Sequence, residues 1–206
     1  MTSISYAITV HNEHKELDRL LGQLADHITS NCEIVVQCDA GNTTDNVRGV
    51  LDKYSEYVRV IEYPLNRNFA EFKNNLKENC ECDWIFQIDA DEYPDEYLVS
   101  MLPVILKSNE SVDVLWVPRI NTVDGLTTED IQRWKWNVDK DGRVNLPDYQ
   151  CRIFRNKKEI RWKNAVHEVI EGHSKYAHLP ANEEMCLVHP KTIDRQRRQN
   201  SFYATI

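Results

Sequence analysis

The chain has 206 residues, 41% of them hydrophobic, which is enough for one sizeable core and favours a single domain. A formal net charge of -8 and a pI near 5.4 exclude a broad basic surface for duplex nucleic acid or anionic lipid. No apolar run approaches the roughly 20 residues that span a bilayer, so a soluble, cytoplasmic protein with no integral membrane segment is expected.

Ile4–Val10 reads as a buried strand, and residues 16–28 follow with Leu17, Leu20, Leu21 and Leu24 at helical spacing. A second apolar run, 33–36, ends in Gln37-Cys38-Asp39; turn and capping residues 40–45 then lead into a helix reaching about Tyr54. Val58–Tyr63 is a third strand, 68–79 has helical character, and 83–88 is a short apolar strand that stops at Asp89. Strands separated by helices imply an α/β fold with a mostly parallel central sheet flanked by helices. Such sheets bind ligands beyond the carboxyl ends of their strands, where His11, Asp39 and Asp89 fall.

Beyond Pro94 the alternation weakens. A helix over 96–106 and a strand over 112–117 precede a polar, tryptophan-bearing stretch, 119–145, expected as a long substrate-holding loop. Short strands are expected at 151–154 and 160–162, and a basic helix with Arg195, Arg197 and Arg198 at 194–203. The six cysteines are expected as reduced thiols, because no apolar signal segment opens the sequence. Cys80-Glu81-Cys82 has the wrong spacing for a zinc motif and reads as a turn.

Asp89, Asp91 and Glu92 place three carboxyl groups directly after a buried strand, and a cation would relieve their repulsion. Oxygen ligands point to Mg2+ or Mn2+, which also accept substrate phosphates. The competing reading is that these acids merely cap the next helix.

The segment IFQIDADE, 85–92, resembles the DxD region of glycosyltransferase family 2, which has the GT-A (Rossmann-like) fold. Three earlier segments resemble the same family in order: Ile8-Thr9-Val10-His11-Asn12-Glu13, residues 36–45, and NRNFAEFKN at 66–74. The resemblance implies a single GT-A domain, with 1–95 as its nucleotide-binding half and 96–206 completing the acceptor and metal sites. It implies nucleoside contacts from Thr9, His11, Glu13 and Asp39, a diphosphate contact from Lys73, and a donor and metal role for Asp89-Ala90-Asp91, with Asp91 the direct ligand and Glu92 behind them. His11 and Cys38-Asp39 depart from the family's usual residues.

The later segments 148–156 (DYQCRIFRN), Val166-His167-Glu168 and Val188-His189-Pro190-Lys191 resemble a subset of the same family. They imply a further metal ligand in His189 or His167 and a diphosphate contact in Lys191. Glu168 is nominated as the general base of an inverting transfer, with Asp148 as the alternative or as a grip on the donor sugar. Trp134 or Trp136 could stack on a sugar face. The implied cofactors are Mn2+ or Mg2+ and a nucleotide-sugar, a UDP-sugar by family preference; the acceptor, whether glycan, lipid-linked or protein, is not named by the sequence. The rival readings are a non-catalytic or weakly hydrolytic nucleotide-sugar-binding module and a nucleotidyltransferase, the latter lacking its glycine-rich phosphate loop.

Overall fold

The computed structural model describes residues 2–203. Its first half alternates strand and helix: β1 (Ile4–Val10), α1 (His14–Ala25), β2 (Cys32–Asp39), α2 (Asp45–Lys53), β3 (Val58–Tyr63), α3 (Phe69–Glu78) and β4 (Trp84–Asp89). These four strands lie in the order β3-β2-β1-β4 and are parallel throughout. Strands covered by helices on both faces must be apolar along their whole length, which is why β1, β2 and β4 read as near-continuous hydrophobic runs.

Local chemistry sets the helix ends. Thr44 and Asn68 cap α2 and α3 by accepting hydrogen bonds from the Val47 and Glu71 amides. Helix α1 stops at Ala25, short of the expected 28, because the His27 amide turns back to the Leu24 carbonyl. Strand β2 ends at Asp39, as expected; buried Gln37 is accommodated because its side-chain amide donates to the Phe72 carbonyl at 2.6 Å.

The second half is β5 (Tyr93–Pro94), α4 (Glu96–Ser108), β6 (Val114–Asp124), α5 (Thr128–Trp134), β7 (Arg143–Arg155), β8 (Arg161–Lys163), β9 (Val169–Glu171), β10 (Tyr176–His178), a 3-10 turn (Glu183–Met185), β11 (Leu187–Thr192) and α6 (Ile193–Tyr203). The full sheet order is β3-β2-β1-β4-β7-β6-β11-β5, with β10 on β6 and a separate β8-β9 ribbon. Strand β7 enters antiparallel between β4 and β6, making the sheet mixed.

The long loop expected over 119–145 is not what forms. Strand β6 continues to Asp124, α5 opens with a Thr127–Asp130 capping box, and β7 begins at Arg143. The polar residues of this stretch belong to strands because their side chains face a cavity and pair there: Arg119 lies opposite Asp148 in the register and bonds to it. Strands β9, β10 and β11 had no counterpart in the sequence reading.

One core packs α1, α2 and α4 against one sheet face through Leu17, Leu21, Leu51, Leu98 and Leu102. A smaller one lies under α3 and the β8-β9 ribbon, with Leu76, Phe154, Trp162 and Ile170. The six cysteines are free thiols, and burial pushes Cys80 and Cys151 up to about 12. Among the described residues, no helix is long and apolar enough to cross a membrane.

Candidate active site

Asp89 ends β4 opposite its register partner Thr9, the penultimate residue of β1, and Thr9 Oγ1 donates to Asp89 Oδ1 at 2.8 Å. Arg152 donates to Asp89 Oδ2 at 2.6 Å, and the Lys73 ammonium stands 3.2 Å from Oδ1. Burial opposes charge on Asp89, but Arg152 and Lys73 outweigh it and hold the carboxyl well below the usual range.

From Asp89 a chain of opposite charges runs in both directions along the cavity floor. Lys73 donates to Glu168 at 2.6 Å; Arg152 also reaches Glu92 at 2.7 Å; Arg119 reaches Glu92 at 2.6 Å and Asp148 at 2.7 Å. The order is Glu168, Lys73, Asp89, Arg152, Glu92, Arg119, Asp148: four carboxylates against three cations, so one negative charge in excess. Lys73, Arg152 and Glu92 are almost fully buried, so each depends on its neighbours for the charge it carries.

A second cluster lies beside it. Asn121 donates its amide to Asp148 Oδ2 at 2.8 Å, which turns its carbonyl oxygen to His189 Nδ1, also at 2.8 Å. That fixes Nδ1 as the protonated nitrogen and aims Nε2 at Asp91 Oδ2, 3.1 Å away. A bare Nε2 lone pair facing a carboxylate is repulsive, so this geometry calls for a proton or a metal ion between the two. Burial disfavours charge on Asp91, yet the bond to His189 and the charges of His189, Arg195 and Lys191 hold its carboxyl well below the usual range.

Farther along, His11 Nδ1 sits 3.2 Å from Asp39 Oδ2, and Asp39 Oδ1 accepts the Leu65 amide at 2.9 Å. Glu13 Oε2 accepts the His11 and Asn12 amides, while Oε1 bonds Arg195 at 3.0 Å. Lys191 donates to Gln199 on α6 at 2.5 Å, its ammonium pushed down by burial against the pull of Asp91.

A cavity of about 590 Å3 gathers Lys73, Asp89, Asp91, Asp148, Glu168, His167, His189 and Lys191, with Trp136 on its wall. Thr9, His11, Glu13, Asp39, Ala90 and Trp134 are outside its lining; Ala90 is buried with its amide on the Thr9 carbonyl, and Trp134 packs on Trp136 at 4.6 Å. His167 is exposed in the β8-β9 loop at a positive φ of 55°. Among the described residues no group of three or more His, Cys, Asp or Glu side chains is set to hold a metal, so Asp91 and His189 stand as a pair, and Asp89 is engaged by cations instead.

Sequence reasoning passed over Arg119, Arg152 and Asn121, while Glu92, expected behind the triplet, is buried and bonded by Arg119 and Arg152. Arg152 sits between Cys151 and Ile153, which pair with the consecutive residues Trp116 and Leu115, so it is the extra residue of a β-bulge. A bulge re-aims a side chain that strict alternation would place elsewhere. The one available signal was a charged residue inside an apolar strand.

Parallel strands with carboxylates at their carboxyl ends, joined to a mixed second half, make an α/β domain of the GT-A fold. The chain belongs to glycosyl transferase family 2, whose family model matches residues 5–170. No curated protein sequence matches it. Among solved structures it is similar to S. aureus TarS 1-349, at 14% identity and a TM-score of 0.65 over 92% of this chain and 60% of that one. The same TarS fragment in complex with UDP gives 15% identity and 0.64, over 92% of this chain and 60% of that one. In complex with UDP-GlcNAc it gives 15% and 0.58, over 89% and 60%. The chain thus spans three fifths of the TarS fragment's length, and at this identity the likeness establishes the fold.

Proposed function

We propose that this chain is a metal-dependent, inverting glycosyltransferase that moves a sugar from a UDP-sugar to an acceptor hydroxyl. The observation that carries the reading is the Asp91–His189 pair, with Nε2 aimed at the carboxylate and Nδ1 fixed by Asn121. These residues fit a divalent ion such as Mn2+ or Mg2+, with positions left for phosphate oxygens and water. The UDP and UDP-GlcNAc complexes of TarS support UDP as the nucleotide.

In this reading Glu13 and Asp39 hold the nucleoside, and Lys73 and Lys191 face the diphosphate. A divalent ion held by Asp91 and His189 would supply positive charge to the leaving diphosphate. Glu168 takes the proton of the acceptor hydroxyl as it attacks the anomeric carbon, and Lys73, bonded to its Oε1, holds its orientation. Asp148, fixed by Arg119, Asn121 and Gln150, grips the donor sugar.

Thermal unfolding with UDP plus Mn2+, UDP alone and GDP plus Mn2+ tests this. A ligand at 100 times its Kd stabilises the native state by about 2.7 kcal/mol, so UDP plus Mn2+ should give the largest rise in Tm. No shift with any nucleotide would refute a donor site.

A further inference from the structure

Arg195, in the first turn of α6, is bonded to carboxylates from three places: Glu13 and Glu16, each at 3.0 Å, and Asp91 at 3.2 Å. The Asp91 oxygen it meets, Oδ2, is the one that His189 Nε2 also faces at 3.1 Å. Asp91 and Arg195 are 15% and 25% exposed in their side chains, so water screens their attraction only in part.

Two positive charges sharing one carboxylate oxygen repel each other strongly at such separations. We infer that Arg195 is the resident counter-cation of the metal site: in the donor-free protein it neutralises Asp91, and a divalent ion gains that carboxylate only by displacing it. This rests on the metal reading above.

The exchange is local. Glu13 and Glu16 keep Arg195 partnered when it leaves Asp91, while Arg197 on Asp130 at 2.9 Å and Gln199 on Lys191 hold α6 in place independently. Only the guanidinium has to swing. Metal alone therefore binds weakly, and a diphosphate, which adds anionic oxygens, restores the balance, so that Mn2+ and UDP bind cooperatively.

The test is Mn2+ binding to the full chain, read from the paramagnetic resonance signal of free Mn2+, without nucleotide and then with UDP. Arg195→Gln should bind Mn2+ about tenfold more tightly than the native chain, and the Mn2+–UDP coupling should shrink by the same factor. Arg195→Lys keeps the charge and should stay near the native value. Unchanged or weaker Mn2+ binding by an Arg195→Gln protein that melts like the native one overturns the inference, as does an Arg195→Lys that behaves like Arg195→Gln. His189→Ala separates the two levels: Mn2+ binding that survives it in both backgrounds overturns the metal assignment itself.

Discussion

Glu168 is held at one oxygen by Lys73, the same ammonium that stands against Asp89, so the nominated base and the donor-side carboxylate share a cation. Glu168→Gln keeps an acceptor for Lys73 while removing the basic carboxylate, so transfer should fall by about 10²–10⁴-fold. The Tm shift with UDP plus Mn2+ should persist; normal turnover in a donor-hydrolysis or transfer assay would hand the base to another residue. Residues such as Asp89, Asp91 and His189 were legible because they sit in or just after strands that end at the site. Arg152 was not, because it depends on a bulge, and Glu92 takes its partners Arg119 and Arg152 from the paired strands β6 and β7, later in the sequence.

At the level of elements, Glu168 depends on how the β8-β9 ribbon is mounted on α3. Asn74 donates to the Trp162 carbonyl and accepts from the Trp162 amide, both at 2.9 Å and both buried, and the Phe69 amide donates to the Ala165 carbonyl. Gly172 closes the ribbon at φ +84°, where an added Cβ would lie 1.8 Å from the Glu159 carbonyl oxygen. Asn74→Ala would strand two buried backbone groups, each costing about 1–3 kcal/mol, so urea unfolding should show a clear loss of stability. It should also lower kcat more than UDP affinity, since the ribbon carries Glu168; weakened UDP binding with kcat intact would contradict that mounting. Of this only β8 was legible, as the short strand expected at 160–162; β9 is too short to show a period, and what fixes the ribbon is an asparagine on another element.

Across the whole molecule, the parallel β1-β4 unit could be read from sequence because β1, β2 and β4 are near-continuous apolar runs alternating with helices, whereas the second half is added through the antiparallel pairing of β7 at the β4 edge. Strand β7 pairs with β4, so the cavity draws on both halves and its ionic chain crosses the boundary near residue 95. That chain also governs how the fold meets acid. Asp89, Glu92 and Asp148 are each disfavoured as anions by burial, yet Arg152, Lys73 and Arg119 keep all three below their ordinary values. Asp91 is depressed too, through His189 and Arg195. With folded pKa values below unfolded ones, the unfolded chain binds more protons as pH falls. The stabilisation is therefore fully present above the unfolded values, about 4, and is lost as pH drops through the folded ones. The urea midpoint should be nearly flat from pH 7 to 5 and fall steeply below about pH 4, as the unfolding free energy loses ~1.4 kcal/mol for each pKa unit of depression titrated. A midpoint unchanged at pH 3 would overturn the claim that the buried Lys73 and Arg152 and the part-buried Arg119 depend on these carboxylates for their charge.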